Sequence, residues 1–322
     1  MYNIAIVGSG QLGSRHLQGI KTASLELSIE VVDSNLESLK NAENRYNEVG
    51  DNQYKKDVSF LSSLDDLSNE LDLVIIATGS APRFAITNEL IKKKNVRNIV
   101  FEKVLFQNEK YYHDVNNLLN SNNIRAWVNC PRRMYDYYNT IREAFSKEDK
   151  IILNVSGGDW GLGCNSIHFI DIISYLTGQT EYSLLTNGLN KKIYASKRSG
   201  YVEFCGILTG FTKRGDIFNF ISQENSSTTP IVSIVTQNQK FIIDEVKGYM
   251  ASFSDNNWKS QIIQVPYQSQ LTGNVVEAIL LNKDIKLTKY EDSMKLHLPL
   301  ISSLLDFYNA ITGNDSINCP IT

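Results

Sequence analysis

The chain of 322 residues is poor in the features that mark a membrane, secreted or nucleic-acid-binding protein. A net charge of −3 supplies no field to draw in nucleic acid or acidic lipid. No basic run and no aromatic-studded basic stripe is present, so neither nucleic acid nor a membrane is an expected partner. No apolar run approaches spanning length, and a strand-like run begins within a few residues of Met1, so no signal peptide is expected. The cysteines Cys130, Cys164, Cys205 and Cys319 are widely scattered. Their spacing excludes a cysteine-based metal site and reads as reduced thiols in a cytoplasmic protein, so no metal is expected. Internal repeats and low-complexity linkers are absent as well. What remains is an ordinary globular composition, 42% hydrophobic and 21% charged. The length suggests about two domains.

The first informative stretch is Ile4-Ala5-Ile6-Val7 followed by Gly8-Ser9-Gly10-Gln11-Leu12-Gly13. A buried strand, a glycine turn and a helix start in this order form the pattern that holds a dinucleotide. Gly8 allows the tight turn, Gly10 lets the backbone approach a pyrophosphate, and Gly13 lets the helix lie against the strand. The helix start adds free N–H groups and the positive end of the helix dipole. A second apolar run, Ile29 to Val32, closes on Asp33, about twenty residues beyond Gly13, where a ribose-binding acid is expected.

Downstream, the run Leu71 to Thr78 reads as a buried parallel strand, Pro82 to Lys94 as a helix, and Asn98 to Glu102 as the next strand. Lys110 to Asn120 is an amphipathic helix, and Ile124 to Asn129 another strand. This alternation predicts a doubly wound parallel sheet over residues 1–125, an α/β Rossmann domain, with its loops at one edge. Residues 126–322 read as a second, α+β domain with a large, mostly antiparallel sheet. Its expected strands are Lys150 to Ser156, Tyr201 to Phe211, Asp216 to Ser222, Pro230 to Thr236, Lys240 to Asp244 and Gln261 to Pro266. A helix from Ser166 to Leu176 follows a glycine-rich turn (Gly157, Gly158, Gly161, Gly163) and stops at Gly178. A long helix from Tyr290 to Thr312 ends the fold, placed to pack back on the first domain. In Tyr201 to Phe211, Val202, Phe204 and Leu208 are expected on one face and Tyr201, Cys205, Ile207 and Phe211 on the other. Both faces are apolar, so a second subunit is expected to cover one of them, giving a dimer or tetramer through this sheet.

Two residues carry possible chemistry. Lys103 ends the strand Ile99 to Glu102, where partial desolvation would suit it to proton transfer or charge stabilisation. His168 opens a helix after the glycine-rich turn, with Asp171 close by in sequence and able either to lie near it or to pair locally. Around these motifs the sequence resembles the glucose–fructose oxidoreductase, inositol dehydrogenase and MocA (Gfo/Idh/MocA) family. The resemblance rests on the glycine loop, Ala77-Thr78, Glu102-Lys103, His168-Phe169-Ile170-Asp171, Gly178 and the antiparallel second domain, and it covers nearly the whole chain. It implies an NAD- or NADP-dependent oxidoreductase acting on a carbon–oxygen bond, often of a sugar. It departs from this chain at three places. Val104 stands where the family's Glu-Lys-Pro motif has proline, Cys164 where its Asp-x-x-x-His motif has the acid, and Arg83 about where many members carry histidine.

The expected cofactor site is therefore Gly8, Ser9, Gly10, Gln11, Leu12, Gly13, Asp33, Thr78 and Glu102, with Lys103 and His168 catalytic. Asp33, followed by Ser34 and Asn35 without an arginine, favours NAD, with NADP the other possibility. Arg132, Asn165, Asp159 and Trp160 are the expected substrate residues. Trp160 reads equally as a packing residue, and Asp159 as a stand-in for the acid missing at Cys164. Arg132, Arg133, Lys191, Lys192, Lys197 and Arg198 suit a sugar phosphate or sugar nucleotide, against the plainer reading of solvated surface charge. The expected reaction is hydride transfer on a sugar or sugar derivative. The alternatives are a reductase of a C=N or C=C substrate and a regulator that keeps the fold without activity.

Overall fold

A computed structural model describes residues 1–146 and 148–322. They form two compact units. Residues 1–106, 110–131 and 266–291 make the first, and residues 107–109, 132–265 and 292–322 the second.

The first unit is built on β1 (Tyr2–Val7), β2 (Leu27–Val32), β3 (Lys56–Leu61), β4 (Leu73–Ile76), β5 (Asn98–Phe101) and β6 (Arg125–Val128). They lie in the order β6-β5-β4-β1-β2-β3, all parallel. Thr288–Lys289 adds a short antiparallel edge against β6. Helices α1 (Gln11–Lys21), α2 (Leu36–Asn47), α3 (Ser80–Lys93) and α4 (Glu109–Ser121) connect the strands. Ile4, Ile6, Leu73, Val74, Ile99 and Phe101 are fully buried, which is why these strands read as unbroken apolar runs. The register aligns Val7 with Val32 on one side and Ile76 on the other, and Ile76 with Phe101. The residues that follow these strands (Gly8, Asp33, Ala77-Thr78 and Glu102-Lys103) are thereby set in one row at the point where strand order reverses.

A further helix, Gln268–Leu280, packs on α1. A side chain at Gly19 would meet Thr272 Cβ at 2.7 Å, and one at Gly273 would meet Thr22 Oγ1 at 2.6 Å, so two glycines let the helices cross closely. Residues 266–291 thus return to the first unit, although the sequence reading places everything beyond 125 in the second. Nothing in local composition marks that return, and the helix itself is absent from the sequence reading.

In the second unit, β7 (Ile152–Gly158), β8 (Tyr182–Leu189), β9 (Gly206–Thr212), β10 (Ile217–Gln223), β11 (Ile231–Val235), β12 (Lys240–Asp244), β13 (Tyr249–Ser254) and β14 (Asn257–Ile262) form one sheet. Its order is β8-β9-β10-β7-β11-β12-β13-β14, antiparallel except for the β7–β10 pair. With α5 (Asp136–Ala144), α6 (Leu162–Thr177) and the long Tyr290–Thr312 helix it completes the expected α+β architecture. The inner face buries Leu153, Val155, Leu208, Phe218, Phe220 and Ile234. Phe169 of α6 meets Phe220, and the Tyr182 hydroxyl donates to Leu296 O on the long helix at 2.5 Å.

Several elements differ from the sequence reading. Tyr201 to Phe211 is not one strand. Gly206, at φ +105°, breaks it; Val202–Glu203 pairs with Tyr194–Ala195, and Phe204 and Cys205 are both buried. Cys205 therefore does not share the outer face with Ile207 and Phe211, which are 41% and 37% exposed. The expected strand Gln261 to Pro266 is replaced by the β13–β14 hairpin, which turns on Asp255 and Asn256 at φ +50° and +57°. Every residue of β14 is exposed, so no apolar alternation announces it. Helix α6 begins at Leu162, not near Ser166, because left-handed Gly161 serves as its cap and Gly163 lies inside its first turn.

Candidate active site

In the first unit the glycine loop has the geometry its spacing predicts. Gly8 sits at φ +92°, and a Cβ there would lie 2.9 Å from both Thr78 Cγ2 and Thr78 N. A Cβ on Gly13 would lie 1.8 Å from Gly8 O, so only glycine lets α1 start this close to the loop. Gly10 faces open space and caps α1 without a side-chain bond, which leaves the first-turn N–H groups available to an anion. Asp33 Oδ2 accepts from Ser9 N at 2.7 Å and Ser9 Oγ at 3.2 Å, and Oδ1 from Asn35 N at 2.9 Å. The acid and the loop are thus one hydrogen-bonded piece. Thr78 Oγ1 is buried and, among the described residues, meets no hydrogen-bond partner. An orphaned hydroxyl beside an open, uncapped helix start fits a polar dinucleotide. Gln11 Oε1 and Ser14 Oγ accept from Arg45, which the sequence reading passes over and which adds positive charge at the first turn of α1.

Lys103 is the one half-buried residue in the run Phe101 to Phe106, whose other members are buried. Glu102 points into the interior. Its Oε1 lies 2.9 Å from His16 Nε2 and accepts from Asn129 Nδ2 at 2.6 Å. His16 Nδ1 lies 3.0 Å from Thr272 Oγ1, and the Asn129 amide also donates to Gln268 Oε1 at 2.8 Å. Glu102 is thus engaged by an internal network, where the sequence reading counts it among the cofactor contacts. Burial works to push its carboxyl up, but His16, Asn129 and Lys103 outweigh that effect and hold it below the usual range. Arg83, also buried, donates to Thr78 O, Val104 O and Leu105 O.

In the second unit the expected site residues His168, Asn165, Asp159 and Trp160 lie on α6 and on the segment before it. His168 is half-buried on this helix. Asp171 pairs with Arg133, its carboxylate accepting from Arg133 Nε at 2.6 Å. Glu203, absent from the sequence reading, accepts from Gly163 N at 2.7 Å and Cys164 N at 3.3 Å. An acid thus stands beside Cys164, supplied by another segment. Asp159 Oδ1 accepts from Cys205 Sγ at 3.6 Å, and burial together with Asp159 pushes the Cys205 thiol up to about 11. Asn165 donates to Trp160 O at 2.7 Å.

Trp160 is half-buried and packs against the sheet. Its Nε1 donates to Ile221 O at 2.8 Å and its ring meets Phe169 and Phe220 edge-on, so the packing reading describes it. Arg132 is paired through two nitrogens with Glu245, at 2.7 to 3.1 Å, and lies over Phe169. Glu245 also accepts from the Tyr137 and Tyr138 hydroxyls at 3.0 Å each. The guanidinium fork that would suit a phosphate is spent inside the unit.

Residues 2–130 match the family model described as "Oxidoreductase family, NAD-binding Rossmann fold" (GFO_IDH_MocA). That stretch carries the NAD-binding Rossmann fold and is similar to the nucleotide domains of Gfo/Idh/MocA oxidoreductases. No curated sequence matches the chain. Among solved structures it is similar to UDP-N-acetylglucosamine 3-dehydrogenase from Acidithiobacillus ferrooxidans, with TM-score 0.69, 14% identity, and 94% of this chain and 96% of that one covered. Biliverdin reductase from Synechocystis sp. PCC 6803, solved with biliverdin and NADP+, gives TM-score 0.70 at 13% identity, covering 94% and 98%. Scyllo-inositol dehydrogenase from Lactobacillus casei, solved with NAD(H) and scyllo-inositol, gives 0.66 at 17% identity, covering 94% and 95%. At these identities the likeness is one of fold, and it extends through both units. Among the described residues no helix is long and apolar enough to cross a membrane.

Within this Rossmann unit the internal partners of Glu102 escape the sequence reading. The only local signal is the position of His16, three residues beyond Gly13. Asn129, Gln268 and Thr272 carry none. The pair makes stability depend on pH. Because the Glu102 carboxyl is lowered in the fold, its contribution is complete above its ordinary value of 4.5 and fades as pH falls below it. Glu102→Gln is expected to cost about 2 kcal/mol at neutral pH, the scale of a charge-assisted hydrogen bond. In urea unfolding, the gap between wild type and E102Q should be constant above pH 4.5 and shrink below it. A gap that widens on acidification would contradict this assignment.

Proposed function

We propose that this chain transfers a hydride between NAD and a carbinol or carbonyl carbon of a sugar or sugar derivative, a sugar nucleotide included. The observation that carries the reading is Lys103, half-exposed in a buried run and set in the strand-end row with the glycine loop, Asp33 and Thr78. The nicotinamide supplies the hydride acceptor or donor when bound. The chain's own residues bind, orient and handle charge. The first-turn N–H groups of α1 hold the pyrophosphate, Asp33 accepts from the ribose hydroxyls, and Thr78 Oγ1 gains the partner it lacks. The Lys103 ammonium stabilises negative charge on the substrate oxygen. His168 gives or takes the hydroxyl proton, since imidazole titrates near neutral pH. We assign substrate positioning in the second unit to Asn165, Asp159 and Glu203, through whatever bonding capacity their internal partners leave.

Two of the structural neighbours named above are a sugar-nucleotide dehydrogenase and a cyclitol dehydrogenase, which supports a polyhydroxylated substrate. The biliverdin reductase likeness supports a second reading, reduction of a conjugated double bond by the same cofactor. Cys164 and Val104, where the family has an acid and a proline, support the reading as an inactive dinucleotide-binding regulator. For the cofactor, the Asp33 charge repels a 2′-phosphate. We further propose that a second copy of the chain, in a dimer or tetramer, covers the outer face of the second unit's sheet, where Ile152, Leu185, Ile207, Phe211 and Ile242 are exposed.

NADH formation across a panel of sugars, inositols and sugar nucleotides tests the reaction. Lys103→Met and His168→Ala are each expected to lower kcat/KM on the panel substrate by about 10²- to 10⁴-fold. Unchanged turnover in either variant removes that residue from the scheme, and turnover of biliverdin alone favours the second reading. By calorimetry NAD should bind about tenfold more tightly than NADP, a difference of about 1.4 kcal/mol. Equal affinities would refute the role given to Asp33. Solution scattering should give at least a dimeric mass, and a monomeric mass overturns the proposed interface.

A further inference from the structure

We propose that Arg83 is a positioning residue for Lys103, acting through the backbone on either side of it. Arg83 stands in the first turns of α3 and is 1% exposed. Its Nη1 donates to Val104 O and, at 2.9 Å, to Leu105 O, while Nη2 donates to Thr78 O. These carbonyls belong to two different strand ends. Thr78 lies just beyond β4, and Val104 and Leu105 follow directly on Lys103. One rigid, planar guanidinium thus ties the loop after β4 to the loop after β5, which no single-point cation can do with the same geometry.

The surroundings leave this segment little other freedom. Val104, Leu105 and Phe106 are fully buried. Phe106 N donates to Tyr112 Oη at 3.2 Å, and the Tyr112 hydroxyl donates back to Phe106 O at 2.8 Å. Phe84, next to Arg83, meets Phe106 edge-on and stacks on Tyr111. On the other side Glu102 is held by His16 and Asn129. Lys103, the one half-buried residue of the run, is therefore bracketed, and Arg83 supplies the bracket on its C-terminal side. A displacement of about 1 Å in a reacting group is enough to lose on the order of 10²-fold in rate, so a brace of this kind acts on turnover without touching substrate.

The proposal rests on the hydride-transfer reading of Lys103, and the test separates the two. Arg83→Met removes every donor, and Arg83→Lys keeps the charge but not the fork; should R83M fail to fold, R83K carries the test. Hydrogen exchange over residues 102–106, measured with NAD present, is expected to be at least tenfold faster in R83K, with thermal melting showing a folded protein. On the panel substrate, kcat should fall about tenfold or more in R83K while the NAD dissociation constant changes less than about threefold, and the kcat loss should vanish in the Lys103→Met background. An equal loss in both backgrounds means that Arg83 acts independently of Lys103 and overturns the proposal, as does unchanged exchange over residues 102–106 or full turnover in R83K. Wild-type turnover in K103M alone overturns the reading of Lys103, and the role of Arg83 with it.

Discussion

The first unit is organised around a buried carboxylate. Glu102 ends β5, His16 lies on the helix that begins at the glycine loop, Asn129 follows β6, and Gln268 and Thr272 come from a helix far along the chain. Taking a carboxylate out of water costs several kcal/mol unless its lone pairs are met. Meeting them requires all four of these elements to be in place at once. Satisfying that one charge ties the end of β5, and with it the N-terminal side of Lys103, to three other elements. The Gly19 and Gly273 crossing has the same logic, since Thr272 reaches His16 only because the two helices approach without side chains between them.

The second unit uses charge in a similar way, and this bears on what its site can recognise. Arg132 is matched by Glu245, Arg133 by Asp171, and Arg214 by Asp216, with each acid mostly buried. The first two tie the segment before α5 to the end of β12 and to α6, and the third closes the β9–β10 turn. The first two also engage Arg132 and Arg133, two of the cations that residue type alone would assign to a phosphate. Around the start of α6, Glu203, Asn165 and Asp159 are likewise engaged with Gly163, Cys164, Trp160 and Cys205.

Legibility varied with how local the cause was. The glycine loop was readable because each glycine answers a steric demand from within a dozen residues or from a strand whose run is itself apolar. Gly13 against Gly8 O is the clearest case. Asp33 was readable by distance along the chain, though not its bond to Ser9. The antiparallel sheet was readable wherever its strands alternate, as in β11 and β12. It was not at β14, which exposes both faces, or at Tyr201 to Phe211, where one glycine redirects the chain. Trp160 was ambiguous in sequence because an aromatic ring serves a core and a substrate equally well.

By itself the sequence determined the fold class, the dinucleotide loop, its acid and the position of Lys103 at a strand end, since these depend on period, spacing and glycine sterics within short windows. Only the tertiary structure decided where the polar side chains spend their bonds. It turned Glu102 inward, spent Arg132 on Glu245, placed Glu203 beside Cys164 and set Arg83 across two loops. Each of those outcomes depends on a partner brought near by folding. Hydrogen bonds act over about 3 Å, and the chain separation of the partners says nothing about which of them will be met.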